Sequence, residues 1–152
     1  MHHLVDWLSN IEAWYRDENR QYPALKKLIT APPGDLFLSP VSDEKSDSLA
    51  YFFDGCLMLY RHEKQLQNID NAYSYLHFSY AKLQQLASEP TSDLDVRRWS
   101  IKKLDHIIVA MMEFCQEQGT DAWRRESETL VELHITFMLA QSDMNIQRTT
   151  NV

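Results

Sequence analysis

The stretch SEPTSDLDVRRWSIKKLDHIIVAMMEFCQEQGTDAW, residues 88–123, contains one complete helical pattern with a break on each side. Pro90 ends the preceding helix, and Ser92 with Asp95 three residues later resembles a capping box, with Asp in the usual Glu/Gln place. Gly119 suits the position just after a helix. Between the breaks an apolar stripe recurs at helical spacing. This stripe consists of Leu94, Ile101, Leu104, Ile108, Met111 and Cys115.

Helical periodicity continues on both sides of this stretch. Tyr22 and Pro23 begin a short helix with Pro in its first turn, and APPGD at 31–35 ends it. Residues 32–46 are predicted to form a loop. No alternating strand pattern is present. The other periodic segments cover, in chain order, about 3–19, 47–67, 70–88, 93–118 and 121–141.

Two helix beginnings resemble each other: IDNAY at 69–73 and TDAW at 120–123. In both, a residue that can cap a helix is followed by Ala and a large aromatic side chain. Asp70 or Asn71 can cap the first helix, and Thr120 or Asp121 can cap the second. The simpler interpretation is an ordinary preference at helix beginnings; a divergent pair of hairpins is the alternative. In either case, the aromatic residues, Tyr73 and Trp123, are expected to pack inward.

Together these patterns predict an all-α fold, an antiparallel helical bundle of four long helices plus one short N-terminal helix. The short turns favour antiparallel neighbours. Two helical hairpins, 47–88 and 93–141, could be related to one another. We expect 1–142 to form a single all-helical domain and 143–152 to form a flexible C-terminal tail.

The composition argues against several classes of site. The chain has three Gly in 152 residues, and Gly34, Gly55 and Gly119 lie far apart. Glycine-rich phosphate loops and dinucleotide-binding motifs require clustered Gly, so both are excluded. HExxH, CxxC and GxSxG are also absent from the sequence. We therefore assign no catalytic residue, no metal site and no cofactor, and we do not expect an enzyme.

Charge and cysteine placement indicate a compartment. The formal net charge is −7, which gives no general attraction to nucleic acid or to an anionic membrane. Cys56 and Cys115 each lie within an apolar helical pattern, as expected for reduced, buried thiols. The N-terminal MHHLVDWLSN lacks the basic region of a signal peptide, and no window is long and apolar enough for a membrane span. We predict a cytoplasmic protein without a membrane partner.

Three histidines flank apolar stripes on different predicted helices, a position from which a bundle could assemble a site. They are His62, His77 and His134. Histidines at the edge of a core more commonly make ordinary hydrogen bonds, and this is the interpretation we favour.

The helix over 93–118 carries an aromatic residue among cations on its outward side. Arg98, Trp99, Lys102, Lys103 and His106 fall away from the apolar stripe. Such a face can bind a carboxylate-rich peptide or stack a nucleic-acid base beside phosphates. Alternatively, Trp99 packs on the N-terminal helix and is covered by Lys and Arg stems.

The helix over 121–141 is apolar on two sides. Leu130, Leu133 and Phe137 form the predicted inward stripe. A second strip lies roughly opposite and consists of Val131, Ile135 and Met138. A helix that is apolar all round is buried on both sides. Either it is central in the monomer, or this strip meets a partner protein or a second copy in a homodimer.

From these features we predict a non-enzymatic protein–protein interaction module, an adaptor, chaperone-like or regulatory protein that acts through helix faces. Its partner is expected to be another protein or a second copy of itself. The alternative is a nucleic-acid-binding transcriptional regulator that uses the basic helix 93–118, with Arg97, Arg98, Lys102 and Lys103 as its cations. The acidic total argues against nucleic acid as the partner.

Overall fold

The structure is a computed structural model that describes residues 3–38 and 41–150, with side chains up to residue 142. Positions 39 and 40 of the predicted loop, and 151 and 152 of the predicted tail, lie outside the described residues. Every regular element in the described ranges is a helix, which confirms the all-α prediction. In chain order these helices are α1 (Leu4–Arg16), α2 (Tyr22–Thr30), α3 (Asp43–Gln65), α4 (Ile69–Ser88), α5 (Leu94–Gln118) and α6 (Asp121–Thr150).

The helices form an array in which each long helix packs against the next along the chain. α3 packs on α4, α4 on α5, and α5 on α6. α1 and α2 pack on each other and on α3. The N-terminal region therefore supplies two helices, at the two segments, about 3–19 and from Tyr22, where the sequence shows helical patterns. In the described part of the chain, no helix has the length and apolar content needed to cross a bilayer.

The N-terminal pair covers α3 closely. Trp7 and Ile29 are fully buried, and the Trp7 indole N–H donates to the Leu28 carbonyl oxygen at 2.9 Å. A Cβ atom added to Gly55 of α3 would lie 2.5 Å from Cδ1 of Ile29. Gly55 thus lets the Ile29 side chain of α2 pack directly on the backbone of α3, and any larger residue at this position would force Ile29 to shift.

Two helices begin earlier than predicted, α3 by about four residues and α4 by about one. α3 begins at Asp43, inside the predicted loop, because the Ser42 hydroxyl caps it and accepts from the Lys45 backbone N–H at 3.2 Å. α4 begins at Ile69, so the expected caps, Asp70 and Asn71, lie within its first turn. Acidic side chains are also favourable in a first turn, where they interact with the helix dipole, and so they do not mark the boundary uniquely.

The observed boundary between α5 and α6 agrees better with the prediction than the beginnings of α3 and α4 do. Gly119 has a φ of 67°, the left-handed conformation predicted for the end of the helix. The Thr120 hydroxyl accepts from the Trp123 backbone N–H at 3.2 Å and caps α6 as expected. The predicted capping box does not form, since the Ser92 hydroxyl instead donates to the Leu86 carbonyl oxygen at 3.4 Å.

The buried side of α5 is rotated relative to the predicted stripe. Leu94 is 48% exposed, whereas Arg97 and Ser100 are fully buried. The Arg97 guanidinium Nη2 donates to the carbonyl oxygen of Glu89 at 2.9 Å, just beyond the end of α4. A cation at a helix C-terminus is favourable, and this bond explains why Arg97 lies inside. Arg97 is therefore not part of a basic surface.

The predicted inward side of α6 is also partly wrong. Leu130 is buried and Phe137 packs against the core, as predicted, but Leu133 is 59% exposed. Ser127, His134 and Gln141 line the inward side instead, so polar residues occupy positions that an apolar stripe would not reveal. At the start of the helix, Trp123 and Tyr73 of α4 are half-buried and contact each other edge to face, with ring centroids 5.0 Å apart.

Candidate interaction surface

His134 links α6 to both α4 and α5. Its Nδ1 lies 2.7 Å from the Tyr80 hydroxyl of α4, and its Nε2 lies 3.2 Å from Oδ1 of Asp105 on α5. Because α5 and α6 are consecutive and antiparallel, the pairing of Asp105 with His134 sets their register. Moving one residue toward the C-terminus on α5 therefore corresponds to moving one residue toward the N-terminus on α6.

From this register we infer that the outward sides of α5 and α6 lie side by side, and we call the surface that they form the outer furrow. Its residues recur at intervals of mainly three and four, the spacing of one helix side. α5 contributes Arg98, Lys102, His106, Val109, Glu113 and Gln116. α6 contributes Arg124, Glu128, Val131, Ile135 and Met138.

The middle of the outer furrow is apolar and accessible. Ile135 is 53% exposed and Val109 is 51% exposed. Val131 and Met138 are half-buried. From Leu133 to Ser142, α6 has no Asp, Glu, Lys or Arg. This segment therefore combines the absence of these charged residues with exposed apolar side chains such as Ile135 and Leu139.

The ends of the outer furrow differ in charge. Arg98 and Lys102 are exposed near the start of α5, and Glu113 is exposed near its end. Among the described residues, none of these three forms a salt bridge. By contrast, Arg124 pairs with Asp121 at 3.2 Å. At this end, beside the α5–α6 turn, an open cavity of about 460 Å³ lies between the two helices, with Gln116 and Ser127 among its lining residues.

The residues predicted to bind a partner therefore divide into two groups. Three cationic or titratable residues of α5 and the three apolar residues of α6 come together in the outer furrow. They are Arg98, Lys102, His106, Val131, Ile135 and Met138. Trp99 and Lys103 lie on the other side of α5, toward α3.

Trp99 packs on α3 and not on the N-terminal helix. Its ring centroid is 5.7 Å from that of Phe53, and the Nζ atom of Lys103 lies 5.9 Å from the Trp99 ring. The half-buried indole lines a groove of about 260 Å³ together with Leu49 and Val96. The expectation that a Lys stem helps to cover Trp99 fits the position of Lys103. The expected packing partner was the N-terminal helix, whereas the observed one is α3.

Sequence reasoning missed Val109 and Glu113 as members of the outer furrow. Their spacing from Lys102 was the available signal, because positions 102, 106, 109 and 113 alternate steps of four and three. What the sequence could not provide was the identity of the helix that lies beside this side of α5.

The three candidate histidines do not converge on one site. His62 stacks on Tyr22 with ring centroids 3.7 Å apart, and His77 lies edge-on to Tyr73 at 5.8 Å. Within the described residues, no three metal-binding side chains lie together.

Burial raises the pKa of both cysteine thiols and raises the pKa of Tyr80 to about 12. These groups therefore remain protonated and weakly nucleophilic at neutral pH.

No family model matches this chain, and comparisons with curated proteins and with solved structures give no significant match.

Proposed function

We propose that this chain is a non-enzymatic protein–protein interaction module that binds a helical partner, another protein or a second copy, along the outer furrow. The observation that supports this most is the exposed apolar middle of the furrow, formed by Val109, Val131, Ile135 and Met138. Binding of a helix in an apolar groove between two helices is a common mode of recognition.

The position of α6 in the array supports the same proposal. The earlier long helices have extensive backbone contacts on two sides, whereas α6 has them with α5 alone among the described helices and reaches α4 through side-chain contacts with Tyr73 and Tyr80. Covering the exposed parts of Ile135 and Val109 would contribute about 25 cal/mol for each Å² of apolar area removed from water. A partner helix with an apolar side supplies that cover.

Nucleic-acid binding receives less support from the same surfaces. Of the four cations on which it depended, Arg97 is fully buried and Lys103 lies beside Trp99 toward α3. Arg98 and Lys102 remain in the outer furrow, next to an apolar strip that offers nothing to a phosphate backbone. With a net charge of −7, two cations give little attraction for nucleic acid.

We further propose that the protein acts in the cytoplasm as an adaptor or regulator. Cys56 and Cys115 are free and buried, and reduced thiols of this kind are typical of a reducing compartment.

The proposal is tested by affinity capture from a native lysate with quantitative mass spectrometry. The wild-type chain is compared with Ile135→Glu, which places a charge in the middle of the outer furrow. Leu66→Glu is the matched control because Leu66 is 57% exposed and lies at the end of α3. We expect Ile135→Glu to lose the partners, including tagged copies of the chain itself, that the wild type and the control retain. Equal capture by all three folded proteins, as judged by circular dichroism, would overturn the proposal.

A further inference from the structure

We propose that the partner of the outer furrow is a second copy of this chain, bound as an antiparallel, two-fold symmetric dimer. This inference rests on the proposed function and commits it to one occupant. A two-fold interface requires a surface that complements itself, because the same residues are present on both sides.

The charges of α5 meet this requirement. Lys102 and Glu113 lie on the same outward side of the helix, about 16 Å apart at 1.5 Å per residue, and have opposite signs. When two outer furrows face each other across a two-fold axis perpendicular to α5, each α5 runs antiparallel to its copy. Lys102 of one copy then faces Glu113 of the other, and symmetry forms this pair twice.

The apolar residues fall at the centre of the same arrangement. The axis that pairs Lys102 with Glu113 crosses α5 between His106 and Val109. The register set by Asp105 and His134 brings the axis across α6 near Val131. Val109 and Val131 then lie close to the axis, where they are covered by the other copy, and Ile135 lies about one helical turn from it, opposite Glu128 of the other copy. Two ion pairs thus flank an apolar centre, the usual arrangement of a polar rim around an interface core.

Charge also favours a second copy at this surface over other regions of the chain. Two molecules of net charge −7 repel each other overall, so they associate most readily where charges are absent or complementary.

The area of the outer furrow is compatible with a weak dimer. The outer side of α5 from Arg98 to Gln116 is about 27 Å long, and two helices of about 10 Å diameter give the outer furrow a width of about 20 Å. This projected area, about 540 Å², approaches the roughly 800 Å² of accessible surface that each partner buries in a standard interface. We therefore expect a reversible dimer with micromolar affinity.

Sedimentation equilibrium of purified full-length protein tests the dimer through a charge exchange. The variants are Lys102→Glu, Glu113→Lys and the double variant that carries both, with Lys27→Glu on α2 as a matched control because Lys27 is exposed outside the outer furrow. Each single variant places like charges opposite each other twice and is expected to weaken self-association at least about tenfold. The double variant re-creates both pairs with reversed sign and is expected to restore self-association to within about threefold of the wild type.

Two outcomes overturn the inference. One is a wild-type chain that stays monomeric from micromolar to millimolar concentration, and the other is a dimer that the single variants do not weaken or that the double variant does not restore. If the wild type is monomeric while partner capture still depends on Ile135, the second copy is excluded and the proposed function stands. If neither self-association nor capture depends on Ile135, the proposed function fails as well.

Discussion

The two flanks of this helical array differ in how completely their apolar residues are covered. At the N-terminal flank, α1 and α2 cover α3 so closely that Gly55 meets Ile29 with no room for a Cβ atom. At the C-terminal flank, the outer furrow of α5 and α6 leaves Val109 and Ile135 more than half exposed. Both flanks contain apolar residues at helical spacing, but only the first is covered by the chain's own residues.

This difference separates residues that stabilise the monomer from residues that are available to a partner. An apolar side chain contributes to folding in proportion to the surface it removes from water. Trp7 removes all of its surface, whereas Ile135 removes less than half. Substitutions at the N-terminal flank should therefore change the free energy of unfolding, and substitutions in the outer furrow should change association.

The largest expected effect is at the covered flank. Trp7→Ala deletes a fully buried ring and its 2.9 Å hydrogen bond to Leu28, and should lower the free energy of unfolding by about 3–5 kcal/mol. Val5→Ala is the control, because Val5 lies on the same helix and is 66% exposed; its effect should stay within about 0.5 kcal/mol. Urea unfolding followed by circular dichroism measures both. Equal losses would mean that α1 does not cover the core as described.

The next effect separates the two sides of α5. Arg97→Ala removes a buried side chain and leaves the Glu89 carbonyl without this donor, so we expect a loss of about 3 kcal/mol. Arg98→Ala changes an exposed neighbour of the same type and should cost less than about 0.5 kcal/mol. The same urea titration compares them. If Arg98 proved the more important for stability, the orientation of α5, and with it the outer furrow, would be wrong.

A smaller effect tests how closely α2 approaches α3. Gly55→Ala should destabilise the protein by about 1–2 kcal/mol, because Ile29 is fully buried and has little room to move. Ile29→Val removes the Cδ1 atom that the new methyl group would meet. In a double-mutant cycle, Gly55→Ala should therefore cost less in the Ile29→Val background than in the wild type. A coupling energy near zero would show that the two residues are not in contact.

Much of the fold could be predicted from the sequence because helix periodicity and helix-ending residues are local signals. Gly119 and Thr120 mark the turn between α5 and α6 in the structure as they do in the sequence. The start of α3 was missed because Ser42 is an effective cap in a segment that otherwise resembles a loop. Acidic side chains near the start of α4 suit both a cap and a first turn, so they left that boundary undecided.

The candidate surface was only partly predictable because it depends on which side of each helix is covered. Val131, Ile135 and Met138 were recognised from their pattern, but Leu133 was assigned to the wrong side of α6. On α5, Arg97 is buried and Val109 is 51% exposed, and no local rule assigns a cation to the core in place of a valine. That Arg98, Lys102 and Ile135 belong to one surface follows only from the contact between Asp105 and His134.

The central claim is that the apolar strip of the outer furrow contributes to association and not to the stability of the monomer. Its most direct test is urea unfolding of the wild type and Ile135→Glu, each at a low and a high protein concentration. In dilute solution the two free energies of unfolding should agree within about 0.5 kcal/mol. At high concentration only the wild type should become more stable, because only it gains stability by binding a second copy. A loss of about 2 kcal/mol or more for Ile135→Glu in dilute solution would contradict the claim, since it would show that Ile135 belongs to the core of the monomer.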